Sequence, residues 1–133
     1  MCIRDKRALI EGVSFSLRDC LSIIHEDMSL DIHSVRVSGG GARSLFWRQM
    51  LANIFSTSVS TLANTEGSAY GAALLALAGD GPYKSVDEVC AACIREVDSL
   101  IPSPHESAVY QRGYEVYSVL YPTLKPIYGV RCV

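Results

Sequence analysis

The sequence predicts a helix-rich α/β chain built around two short parallel strands. Three observations point there. Long stretches repeat apolar residues at three- and four-residue steps, and two short β-branched runs, Ser34–Ser38 and Ser58–Leu62, stand between them. Three consecutive glycines, Gly39–Gly41, follow the first run directly. Strands separated by helices return in parallel, because a parallel crossover needs a dozen or more residues. Two strands are few for a parallel sheet, whose faces both need cover, so the sequence reads as part of a larger sheet or one completed by other chains.

Each element has its own signal. From about Arg4 to Met28, residues Ile10, Val13, Leu17, Cys20, Leu21 and Ile24 describe one buried helical face. Gly12 sits inside that helix at a cost of up to about 1 kcal/mol relative to Ala, a position that often permits close packing. After the glycines a helix from Arg43 to Phe55 points Trp47, Met50, Leu51 and Ile54 one way. The next helix is built from small residues, Gly67, Ser68, Gly71, Ala72 and Ala76, and Gly79 stands where a helix commonly ends. Asp80-Gly81-Pro82 is a turn, and Ser85 with Glu88 is a capping box for a helix from Val86 to Val97. Pro102-Ser103-Pro104 interrupts the chain before a last helix from His105 to Ile127. Along it Tyr110, Tyr114, Tyr117, Tyr121 and Leu124 form a packing stripe, while Pro122 and Pro126 are expected to bend or end it.

Composition excludes several partners. With 49% hydrophobic and 20% charged residues, the 133-residue chain is globular. A net charge of −2 and scattered lysines and arginines give no basic stripe, so nucleic acid is not expected as a partner. No apolar run approaches the roughly 18 residues of a membrane span, and the N-terminus lacks the apolar core of a secretory signal. Five cysteines, an odd number, suggest reduced thiols and a cytoplasmic location.

The glycine segment carries the chemistry. Backbone without side chains lets a flat or anionic group approach closely, and a helix N-terminus beyond it adds unpaired N–H groups. That describes a nucleotide cradle; a strand-to-helix turn that simply needs glycine remains the other reading. The loop lacks the third glycine of a dinucleotide fingerprint, where Ser44 stands, and the Lys-Ser/Thr ending of a P-loop. Cys90 and Cys93 fall within a helix and have no second Cys/His pair at zinc-ligand spacing. His25, His33 and His105 are isolated, and Ser14, Ser16 and Ser38 lack the context of a nucleophile. No catalytic or metal-binding residue is assigned.

The segments Arg7–Val13, Gly39–Ala52 and Glu66–Ala73, with the ending from Tyr110 to Pro126, resemble the C-terminal portion of FGGY-family carbohydrate kinases, and within them the bacterial xylulokinase group. The resemblance implies that residues 1–133 are the C-terminal part of the second, ATP-binding domain of a ribonuclease H-like (actin/hexokinase-like ATPase) fold. It implies main-chain contacts to ATP from Gly39, Gly40, Gly41 and Ala42, and a hydrogen-bonding position at Ser44. It places the Gly67–Ala76 helix at an interdomain hinge whose closure excludes water. The implied intact enzyme phosphorylates D-xylulose with ATP and Mg2+; ribulose, fuculose, gluconate and glycerol kinases share the architecture. The family's phosphate-binding motif and general-base aspartate have no counterpart here, and Glu11, Asp19, Glu26, Glu66 and Asp87 read as caps or solvated positions. The isolated chain is therefore expected to be inactive. A non-catalytic kinase remnant, self-associating through its incomplete sheet, is the alternative. Asn53 stands where xylulokinases commonly carry aspartate.

Overall fold

The computed structural model describes residues 2–64 and 67–128. In chain order they form α1 (Ile3–Met28), β1 (Ser34–Val37), a single 3-10 turn (Gly41–Arg43), α2 (Leu45–Phe55), β2 (Ser58–Leu62), α3 (Gly67–Asp80), α4 (Val86–Cys93), β3 (Glu96–Leu100) and α5 (Pro104–Tyr128). Glu66, Thr65 and residues 129–133 lie outside the described residues.

β1 and β2 pair in parallel with Val35 opposite Val59 and Val37 opposite Thr61, as the alternation of strands and helices predicts. The prediction of only two strands is corrected. β3 pairs antiparallel with β2 to give a three-stranded mixed sheet in the order β1-β2-β3. The sequence places Glu96 and Val97 at the end of a helix, but α4 stops at Cys93, Ile94 is extended, and Glu96–Leu100 form the strand. Acidic residues are poor strand formers, yet they suit an exposed sheet edge. Here Glu96 accepts from Arg36 Nε at 2.6 Å and Asp98 from Arg48 at 2.5 Å. The Arg36 contact holds the Glu96 carboxyl below the ordinary carboxylate range.

α2 is the centre of the molecule. Met50, Leu51, Ala52, Asn53 and Ile54 are consecutive and all buried, so this helix is covered on every side in its second half. On one flank Leu51 and Ala52 meet Val59 of β2, with Val35, Val37 and Leu100 around them. On the other flank Met50 and Ile54 pack with Phe15 of α1 and Tyr110 of α5. The layers are therefore sheet, α2, then α1 and α5.

The predicted face of α1 is shifted. Ser14 and Phe15 are its buried residues, whereas Val13, Leu17 and Cys20 are exposed. α1 is apolar on two sides, and periodicity alone does not say which side finds a partner. Phe15 lies within 6.5, 5.9 and 5.4 Å of the ring centres of Tyr110, Tyr114 and Tyr117. The tyrosine stripe thus packs over its first half, but Tyr121 is 63% exposed. Tyr114 donates to Asp19 at 2.5 Å, and this bond raises the phenol's pKa.

Helix ends differ from expectation in three further places. α3 runs through Gly79 to Asp80; the glycine that the turn requires is Gly81, where a Cβ would fall 2.2 Å from the Leu77 carbonyl oxygen. α5 begins at Pro104, a favourable first helical position, rather than after it. It also continues through Pro122 and Pro126 to Tyr128 instead of ending. Each proline removes an N–H donor, but these turns are exposed to water, and Thr123 Oγ1 donates to the Val119 carbonyl at 2.7 Å. Gly12 and Gly71 have no neighbour within 4 Å of an added Cβ, so neither marks a close approach among the described residues.

Asn53, 1% exposed, joins α2 to the start of α5. Its Oδ1 accepts from Ser103 N at 2.8 Å and from Gln49 Nε2 at 3.1 Å, and its Nδ2 donates to the Glu106 carboxylate. An aspartate at 53 would keep the first two bonds but set two carboxylates against each other. Asn53→Asp is expected to lose about 2–4 kcal/mol in urea unfolding at pH 7. Adding Glu106→Gln, which supplies a donor, should recover most of that loss.

Candidate functional site

The glycine segment lies beyond the carboxyl end of β1, and the chain after β2 ends beside it. Together they bound a cavity of about 290 Å3. Val37, Ser38, Gly39, Ala42 and Arg43 form one side; Thr61 to Asn64 form the other, with Arg48 and Val97 also lining it. The crevice outside the carboxyl ends of parallel strands is where open α/β sheets take ligands. The walls are mostly apolar with a few polar groups, as small-molecule sites commonly are.

The three glycines answer three different demands. Gly39 has φ +87°, a left-handed conformation that favours glycine. Gly41 needs space, since a Cβ there would fall 2.3 Å from Trp47 Cζ3. Gly40 has ordinary helical angles, φ −60° and ψ −40°, and an added Cβ would meet nothing within 4 Å. The fold therefore requires glycine at 39 and 41 but not at 40.

Trp47 anchors the loop from below. Its Nε1 donates to Ser14 Oγ at 3.0 Å, and Ser14 Oγ donates to the Ile10 carbonyl at 2.7 Å. The glycine backbone is thus seated on an indole that is itself tied to α1. Ser44 is the N-cap of α2, its Oγ accepting from Trp47 N at 3.3 Å. A hydroxyl that accepts still has a proton to donate.

The loop spends several of its own donors on a turn. The N–H groups of Ala42, Arg43 and Ser44 donate back to the carbonyls of Gly39, Gly40 and Gly41 within the 3-10 turn. Three amides that could have faced a phosphate are already engaged, leaving a flat backbone surface. Arg43 is exposed at the rim with no ion-pair partner among the described residues. Arg48, with a side chain 11% exposed, is paired with Asp98.

Of the residues expected to touch a nucleotide, Gly39 and Ala42 line the cavity, exposed Gly40 lies between them in the chain, Gly41 packs on Trp47, and Ser44 is exposed beside the cavity lining as the cap of α2. The far wall, from β2 and β3, carries no local sequence signal, because its residues are distant in sequence from the glycines. Gly67, at the start of α3, approaches the near wall: its Cβ would lie 3.1 Å from Ser38 Oγ. Elsewhere, His25 and His33 share the rim of a separate hollow of about 340 Å3, with His25 Nδ1 3.7 Å from Asp31. Among the described residues no group of three or more His, Cys, Asp or Glu side chains could hold a metal ion, and Cys2, Cys20, Cys90 and Cys93 are free. No described helix is long and apolar enough to cross a membrane.

A glycine loop closing the carboxyl end of a parallel strand pair, followed by a helix on the sheet, defines an α/β domain with a cavity at its strand ends. The particular family follows from comparison. The profile of the FGGY family of carbohydrate kinases, C-terminal domain, matches residues 6–79, and the chain belongs to that family. The xylulose kinase of Bacillus subtilis is 36% identical over 121 residues, which is 91% of this chain and 24% of that protein. The structure of a ligand-bound xylulose kinase from Lactobacillus acidophilus superposes with TM-score 0.83 at 28% identity, over 92% of this chain and 25% of that one. A gluconate kinase from the same organism gives 0.82 at 28% identity, with the same coverage. The fold is accordingly part of an actin/hexokinase-like architecture, and the chain spans about a quarter of the length of these relatives.

The different demands on the glycines make a direct prediction. Gly41→Ala must displace the Trp47 ring and is expected to cost about 1–3 kcal/mol of stability by urea denaturation. Gly40→Ala should stay within about 0.5 kcal/mol of the parent.

Proposed function

We propose that this chain is the nucleotide-binding C-terminal portion of an ATP-dependent sugar kinase. In the intact enzyme the γ-phosphoryl group of ATP would pass to a hydroxyl of D-xylulose, giving ADP and D-xylulose 5-phosphate. The observation that carries the reading is the glycine loop itself: a family-typical segment, seated at the carboxyl end of β1, whose middle glycine the fold does not need.

The roles follow from the chemistry of the loop. The turn engages the Ala42, Arg43 and Ser44 amides, and the Gly39–Gly41 backbone, free of side chains, offers a flat surface on which a nucleoside can lie. Ser44 can donate its hydroxyl proton to the nucleotide while capping α2. Arg43 at the rim is placed to draw in a polyanion. Mg2+, when bound with ATP, would neutralise charge on the phosphates, and none of the described side chains is assigned to it. No acidic residue here is assigned as the base that takes the sugar's proton. That group and the sugar site would lie in the remaining three quarters of the enzyme, and this portion alone would bind nucleotide without turnover. The free thiols agree with a cytoplasmic setting. The outer edge of β1, unpaired among the described residues, is the natural place for further association.

A different sugar acceptor is the second reading, because the gluconate kinase superposes as closely as the xylulose kinase does. Rates of the intact enzyme on xylulose and gluconate separate the two.

The first test uses Trp47, the single tryptophan, as a reporter beneath the loop. Titration of the chain with ADP should give a saturable change in its emission, and Gly40→Val should weaken binding at least about tenfold. Absence of any ADP response by fluorescence and calorimetry, both alone and after mixing with the N-terminal portion of a xylulose kinase, would contradict the proposal.

A further inference from the structure

β3 contains a residue that the sheet does not use. Thr61 of β2 lies opposite Asp98, but the next residue, Leu62, lies opposite Glu96. Beyond them Ala63 N donates to the Arg95 carbonyl at 2.9 Å, so the shifted register persists. Val97 is therefore the extra residue of a β-bulge. A bulge re-aims a side chain and is common beside functional sites. This one has a second consequence. In a regular strand Glu96 and Asp98 would share a face, two residues apart. Here Glu96 reaches Arg36 of β1, while Asp98 reaches Arg48 of α2, the helix packed on the sheet. Val35 and Val37 join the core on the α2 side and Arg36 alternates with them, so the two ion pairs grip β3 from opposite faces on either side of Val97.

Between those grips Val97 is 63% exposed and lines the cavity opposite the glycine loop. Arg48 lines the same cavity, and its Nε is buried without a partner. A desolvated arginine costs free energy unless its charge is paired, and Asp98 is the partner that Arg48 has on β3.

We propose that Val97 is the outer wall of the nucleoside cavity and that the Arg48–Asp98 ion pair is the positioning contact that keeps it there. This rests on the nucleotide reading of the glycine loop and extends it to residues far away in sequence. Val97 would touch the bound nucleoside directly. Asp98 would act only through Val97, and Arg48, which also lines the cavity, chiefly by holding Asp98.

The test compares ADP, adenosine and inorganic tripolyphosphate as probes, read through Trp47 emission of the full chain. Val97→Ala should raise the Kd for ADP and for adenosine about three- to tenfold and leave tripolyphosphate unchanged. Arg48→Met and Asp98→Asn should do the same, the latter serving if Arg48→Met folds poorly. Because all act through one wall, Arg48→Met/Val97→Ala should be no weaker than the weaker single variant, a non-additivity that a general loss of stability would not produce. If Val97→Ala and Asp98→Asn bind adenosine within twofold of the parent while Gly40→Val abolishes ADP binding, the wall is wrong and the loop reading stands. Additive losses overturn the positioning role of Arg48. No ADP binding by the parent overturns both.

Discussion

The indole of Trp47 sets the relation between the glycine segment, α2 and α1. Its ring occupies the space that a side chain at Gly41 would need, and its N–H is tied through Ser14 to the Ile10 carbonyl. Because Trp47 is in the first turn of α2, the loop cannot move without disturbing the helix that fills the centre of the molecule. α2 is in turn held between the sheet and the α1–α5 pair through five consecutive buried residues. The loop surface is therefore fixed by the core. Preorganisation of that kind spares a ligand the entropy of ordering its site.

The site divides into a rigid side and a side held by charge. The glycine side depends on backbone angles and close packing, neither sensitive to salt. The β3 side depends on ion pairs at a strand edge that packing hardly covers, with Glu96 and Asp98 both substantially exposed. The exposed Arg36–Glu96 pair contributes little to stability, about 0–1 kcal/mol, so its value is geometric, whereas Arg48 enters its pair with Asp98 from a largely buried position. They fix where a short, charged strand sits, and with it the bulged valine.

Local chemistry made much of this legible. β2 is bounded correctly because Val59 and Thr61 alternate within a short run between turn residues, and the cap at Ser85 is present, with Glu88 N donating to Ser85 Oγ at 3.2 Å. The glycine segment stood out for the same reason. β3 did not, because alternating acids look like a solvated helix until Arg36 and Arg48 arrive from elsewhere. The buried face of α1 departs from its periodicity because Phe15 is chosen by tyrosines nearly a hundred residues later. The departure at Asn53 could be seen but not understood, since its meaning lies in Glu106 across the helix junction. Half of the cavity was hidden likewise: Thr61 to Asn64 and Val97 meet Gly39 only through the sheet.

Hydrogen–deuterium exchange of the chain with and without ADP bears most directly on the central claim, that the glycine loop and the β2–β3 end form one nucleoside site. Protection should rise together in two separate segments, residues 38–44 and residues 62–64 with 95–98, and nowhere else by a comparable amount. Protection confined to the loop, or appearing instead around His25 and His33, would contradict it.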